Sequence, residues 1–235
     1  MIRPRWILAA FALTAFGGGQ AMAAPAKKAA VQRDWTRVVA ATPEGGYRVG
    51  NPAAKVKVIE YGSLTCPHCA HFAEEGYPKL LNTYVKSGKV SFEFRNYVRD
   101  MYDMAGALVS RCAGAANYFA LTDALFRTLP DWRARINGLS PDERARLISL
   151  PPAEGNPQIA KAAGFIDMAA KYGVTPAKAN QCLADPARLG QLLDMKRVAN
   201  DQIGLEYTPT FLINGQKVAA DSLETLEPLL KGAGG

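Results

Sequence analysis

Two cysteines separated by two residues, Cys66 and Cys69, are where this sequence can do chemistry. Such a pair, here Cys66-Pro67-His68-Cys69, either closes a small disulfide or chelates a metal, and the four residues alone do not choose between those uses. Their neighbours do. Upstream, Val56-Lys57-Val58-Ile59-Glu60-Tyr61 is β-branched and alternating, which predicts a buried strand; downstream, Phe72, Gly76, Leu80 and Tyr84 recur at helical spacing. The pair therefore sits where a strand ends and a helix begins. The free N–H groups and positive dipole end of that helix favour an anion, so Cys66 is expected to ionise more readily than an ordinary thiol. A thiolate at an accessible helix tip is a redox nucleophile, and the expected chemistry is thiol–disulfide exchange. Cys69, one turn further in, is expected to be more buried and to act as the resolving thiol. His68, between the two, is placed to stabilise the Cys66 thiolate, which favours the reduced form and makes the disulfide more oxidising.

Metal chemistry needs ligands the sequence does not supply. Both histidines of the chain, His68 and His71, fall beside the cysteine pair. A structural zinc site wants four ligands from two separated pairs, whereas Cys112 and Cys182 stand alone. A c-type haem site needs histidine directly after the second cysteine, where Ala70 stands. No metal and no cofactor is expected.

The compartment follows from the first residues. Arg3 and Arg5, the apolar run from Trp6 to Phe16 and the small-residue pattern Ala21-Met22-Ala23 read as a secretory signal over residues 1–23, cleaved after about Ala23. The apolar run is too short to cross a bilayer. Its removal takes the net charge from +7 to +5, because the segment holds two arginines and no acid. The balance is mildly basic without any block of like charge, so nucleic acid is not an expected partner. Four cysteines are too few for a disulfide scaffold, but an even number in an oxidising compartment points to all being paired. Cys66 and Cys69 pair by proximity, which leaves Cys112–Cys182 as an expected structural disulfide, with two unpaired buried thiols as the alternative.

The elements that must position the pair can be read in order. Residues 24–46 form a leader and an edge hairpin, with Trp35 to Val39 and Tyr47 to Val49 flanking a turn at Thr42-Pro43-Glu44-Gly45-Gly46. The strand at 56–61 follows. The helix after Cys69 contains Pro78, which is expected to kink it near Gly76. Val90 to Arg95 alternates as a second strand, so strand, helix and strand make a parallel βαβ unit. Residues of about 101–200 read as helical. Helices are expected over Ala105 to Cys112, Asn117 to Leu129, from the Ser140-Pro141 cap to Pro151, over Ile159 to Tyr172, and from the Thr175-Pro176 and Asp185-Pro186 caps to about Gly204. Thr210 to Ile213 and Gln216 to Ala219, joined by Asn214-Gly215, predict a hairpin, followed by a helix from Ser222 to Leu230.

These features together resemble the DsbA-like proteins of the thioredoxin superfamily. The resemblance rests on Cys-Pro-His-Cys at 66–69, Glu60 six residues earlier, the helical block and Thr208-Pro209 before the final hairpin. It implies an α/β thioredoxin fold, βαβ then ββα, over residues 47–235, with a large α-helical insertion. It implies a cis-proline loop at Thr208-Pro209 beside the active-site pair, where with Pro67 it meets bound peptide. It also implies that Glu60 is a buried acid relaying protons to Cys69. Valine is the residue associated with the position before the cis-proline in the oxidases and threonine in related isomerases, so Thr208 bears on how oxidising the pair is. The implied activity is oxidation of reduced exported proteins in the periplasm, with reoxidation by a DsbB-like quinone-linked membrane partner. A disulfide isomerase or reductase of the same fold is the alternative, and a redox-inert binding module is a third. The segment before the domain is too short for a separate dimerisation module, so a monomer is expected.

Overall fold

The structure, a computed structural model, describes residues 33–235; the expected signal at 1–23 and the leader up to residue 32 lie outside the described residues. Asp34–Gly235 is one compact unit. Its centre is a six-stranded mixed sheet in the order β1-β2-β4-β3-β5-β6. The strands are β1 (Val39–Ala41), β2 (Tyr47–Gly50), β3 (Val56–Gly62), β4 (Val90–Asn96), β5 (Thr210–Ile213) and β6 (Gln216–Val218). Only β3 and β4 run parallel, with Val58 opposite Phe92 and Gly62 opposite Asn96; the other neighbours are antiparallel. β3, which delivers the chain to Cys66, is thus an inner strand. Val56, Val58, Phe92 and Phe211 on these inner strands are fully buried, a position β-branched and aromatic side chains fill well.

The edge hairpin begins later than its sequence pattern predicts. Trp35–Arg37 is a turn of 3-10 helix, because the Asp34 carboxylate accepts from the Thr36 N–H (3.1 Å) and draws the chain out of extended geometry. The strand starts only at Val39.

The crossover from β3 to β4 is one run of helical backbone with two wide turns. α1 (Pro67–His71) passes into a π turn at Phe72–Gly76, then α2 (Tyr77–Leu80), then a second π turn at Leu81–Val85. The expected disturbance near Gly76 is real, and its form is an inserted wide turn in which the Tyr77 N–H reaches back to the Phe72 carbonyl. Pro78 then falls in the first turn of α2, where its missing N–H costs nothing. Gly76 is required there, since a Cβ would stand 2.6 Å from the Phe72 ring.

Between β4 and β5 the chain is helical: α3 (Met101–Cys112), α4 (Gly114–Arg127), α5 (Leu129–Asn137), α6 (Pro141–Ser149), α7 (Pro152–Ala163), α8 (Phe165–Ala170), α9 (Pro176–Ala184) and α10 (Pro186–Asp201). The expected helix over Ile159 to Tyr172 is two helices, broken at Gly164, whose φ of +80° ends α7 in the left-handed region. α5 was not expected; Pro130 reads as a breaker but sits in the first turn, where it is tolerated. Cys112 on α3 and Cys182 on α9 are bonded to each other, with Cα atoms 6.0 Å apart. The β5–β6 turn has Asn214 at φ 51° and Gly215 at φ 84°, the pair of positive values an Asn-Gly hairpin turn needs. α11 (Leu223–Gly232) closes the chain, with Leu226 and Leu230 in the core.

Candidate active site

β3 ends at Gly62, and a turn through Ser63, Leu64 and Thr65 carries the chain to Cys66, which is the N-cap of α1. Pro67 takes the first helical position, where its fixed φ suits the helix, and it is exposed. The Ala70 N–H donates to the Cys66 carbonyl (3.1 Å), closing the first turn. Neither Cys66 nor Cys69 is in a disulfide, so the pair is in its reduced form. The sequence predicts an accessible sulfur at the helix tip, but Cys66 is only 3% exposed and Cys69 is fully buried. What covers Cys66 is the loop before β5: its thiol donates to the Thr208 carbonyl oxygen at 3.2 Å. The Thr208–Pro209 peptide bond in that loop is cis.

The two sulfurs differ in acidity. The Cys66 thiol is held down at about 5, first by the hydrogen bond from the Cys69 thiol, then by the Thr208 hydroxyl and the main-chain N–H groups of Cys69 and His68, against the opposing effect of burial. Cys69 is pushed well above the usual thiol value, first by burial, then by the bond it makes to Cys66 and the charges of Glu60 and Cys66. One sulfur is therefore a thiolate at neutral pH and its neighbour keeps its proton.

His68 reaches the nucleophile through its backbone. No hydrogen bond joins its imidazole to Cys66; the exposed ring instead borders a groove of about 400 Å³ with Tyr207, Thr208, Pro209 and Asp221. Tyr207, 48% exposed, stands in that groove and has no counterpart in the sequence reading. His71 is exposed and outside it.

Glu60 lies in β3 beneath the pair and is 2% exposed. Burial, and then the charge on Cys66, push its carboxyl well above the usual carboxylate range. Its Oε1 has no hydrogen-bond partner. It borders a cavity of about 20 Å³, walled by Phe72, Phe92, Phe94 and Phe126 and by two polar residues of α4, Thr122 and Asp123. That volume holds about one water.

A further acid was not found from sequence. Asp103 on α3 is buried, and its carboxylate accepts from the Ser63 hydroxyl (2.6 Å) and the Leu64 N–H (2.9 Å) in the turn before Cys66. Burial pushes it up to about 7, with those donors and the Arg99 N–H opposing. In sequence Asp103 reads as an ordinary first-turn acid after the Asp100 cap, and no local signal says that it crosses to another loop.

The fold has known counterparts. The sequence profile of the family described as Thioredoxin matches residues 42–232. A crystal structure of a protein-disulfide isomerase from Novosphingobium aromaticivorans is 32% identical and superposes with a TM-score of 0.74 over 79% of this chain and 95% of that one. Wolbachia pipientis alpha-DsbA1, 22% identical over 80% of this chain and 90% of that one, shares the fold at a TM-score of 0.65. A Rickettsia bellii protein provisionally named a protein-disulfide oxidoreductase is 24% identical over 79% of this chain, which spans only 63% of that relative's length. The thioredoxin sheet with its inserted helices, and a sequence profile that matches residues 42–232, place the protein: the chain belongs to the thioredoxin family.

Proposed function

We propose that this chain is a protein-disulfide oxidoreductase that passes the Cys66–Cys69 disulfide to reduced substrate proteins. The observation that carries the proposal is the reduced Cys66/Cys69 pair at the start of α1, with Cys66 against the cis Thr208–Pro209 loop; the acidity of the two sulfurs, Cys66 at about 5 and Cys69 raised, agrees with it. In the first step a substrate thiolate attacks Cys66 Sγ of the enzyme disulfide; the Cys66–Cys69 bond breaks and Cys69 leaves as a thiolate. Cys69 holds a proton strongly, so this departure calls for a nearby acid, and Glu60 is the buried group that can supply one. In the second step another substrate thiolate attacks the substrate sulfur of the mixed disulfide. Cys66 then leaves, and its low pKa makes it a good leaving group. The substrate loses two electrons to form its disulfide, and the enzyme gains them as a dithiol.

The groove beside Thr208 and Pro209 is the place for the substrate backbone, with His68 and Tyr207 at its sides. The export pattern at 1–23 supports a periplasmic setting, where newly translocated proteins carry thiols. The resemblance to DsbA-like proteins supports a quinone-linked DsbB-like membrane partner as the reoxidant.

The test is direct transfer. Oxidised protein mixed with an equimolar reduced two-cysteine peptide should yield one peptide disulfide and two protein thiols; no transfer would overturn the proposal. A second reading, isomerase or reductase, is favoured by the name of the 32% identical Novosphingobium protein. It predicts instead that the reduced protein recovers activity from a substrate with scrambled disulfides.

A further inference from the structure

The turn that presents the nucleophile is held from the helical insertion. Gly62 accepts from the Tyr97 N–H (2.7 Å) at the end of β4. Ser63 then does three things: its hydroxyl donates to Asp103 Oδ2 (2.6 Å), its carbonyl accepts from the Cys66 N–H (3.1 Å), and its N–H faces the Cys69 sulfur. The Ser63 hydroxyl also accepts from the Thr65 N–H (3.2 Å) and contacts the Thr65 hydroxyl (3.0 Å). Leu64 donates its N–H to Asp103 Oδ1 (2.9 Å), and its side chain lies over Gly106, one turn along α3, where a Cβ would come within 3.0 Å of it. Asp103 is itself fixed, since the Arg99 N–H donates to Oδ2 (2.9 Å) and Asp100 caps its helix. Every residue from Gly62 to Thr65 is thus tied, and the ties on Ser63 and Leu64 converge on one carboxylate.

We propose that Asp103 is a positioning residue for the redox pair, gripping Ser63 and Leu64 so that the Ser63 main chain meets both cysteines. The proposal rests on the redox role of Cys66 and Cys69. Cys66 owes its low pKa to groups that act only at short range, the Cys69 thiol, the Thr208 hydroxyl and two N–H groups. A turn free to move by a fraction of an ångström takes the sulfur out of their reach. Among the described residues no cationic side chain pairs with Asp103, and its carboxylate bonds to neither sulfur, so its action passes through the turn.

Asp103→Asn tests this. The amide keeps the volume but replaces one acceptor oxygen by an NH₂, which meets either the Leu64 N–H or the Arg99 N–H and Ser63 hydroxyl, so the grip fails on one side. The Cys66 titration, followed by thiolate ultraviolet absorbance in the reduced protein, should move up by about one pH unit, a tenfold loss of thiolate below its midpoint. Val49→Ala, a core truncation in β2, a strand that pairs with β1 and β4, should lower thermal stability and leave that titration in place. Should Asp103→Asn not fold, Ser63→Ala removes one tie and should move the titration the same way by a smaller step. An unchanged Cys66 titration in whichever of these folds overturns the proposal. The titration needs no substrate, so peptide oxidation that fails in the unmodified protein counts against the oxidoreductase reading alone.

Discussion

The Cys66 thiol lies 3.2 Å from the carbonyl oxygen of Thr208, a residue 142 positions later in the chain. The sequence between them contains the whole helical insertion, and β5 pairing with β3 brings the two ends together, Tyr61 opposite Thr210. The nucleophile is therefore made at a meeting of two distant loops, and several consequences can be measured.

The four cysteines should divide by role. Cys66→Ser is expected to abolish oxidation of a reduced peptide. Cys112→Ser should leave turnover largely intact while lowering stability, by about 4 kcal/mol in the chain-entropy account of a 70-residue loop. Peptide thiol loss and denaturant titration on the two variants read both effects. Equal loss of turnover in both at unchanged stability contradicts the division.

Glu60→Gln should separate activity from stability. The amide cannot deliver a proton to Cys69, so the rate of disulfide transfer should fall by about a hundredfold. The native pKa of Glu60 is raised, so its carboxyl favours folding below its unfolded pKa near 4.5 and loses that contribution as pH rises through the folded value. The variant should therefore gain stability over the unmodified protein above about pH 4.5, seen as a thermal midpoint that rises relative to it with pH. A variant of undiminished rate removes Glu60 from the proton path.

Cys66 should act in the opposite sense on the reduced protein. Its pKa is lowered from 9.0 to about 5, so the native thiolate contributes stability that is complete above 9 and is lost as pH falls through about 5. The stability of the reduced protein minus that of reduced Cys66→Ser should grow with pH between those values. A flat difference means that the native state does not favour the thiolate.

Much of this architecture was legible because its signals are local. The β-branched alternation of Val56 to Tyr61 marks β3 within one residue, and Asn214-Gly215 marks its hairpin, because only such residues take positive φ at both turn positions without strain. The cap-and-proline starts at Ser140, Thr175 and Asp185 mark α6, α9 and α10, because each side chain accepts a first-turn N–H that the helix leaves free. What was not legible depends on packing across the chain. Gly164 looks like any helical glycine until Phe165 is buried and the chain must turn. His68 reads as an imidazole poised on Cys66, whereas its backbone makes the contact. Asp103 reaches Ser63 across 40 residues, and nothing in its own neighbourhood marks it.

The redox potential of the Cys66–Cys69 pair, measured by equilibration in glutathione buffers, tests the central claim most directly. A thiolate held near pH 5 stabilises the reduced form, so the account predicts a potential more positive than about −200 mV, toward the DsbA end of the scale. A value at the thioredoxin end, about −270 mV, would contradict a dithiol that gives its disulfide away.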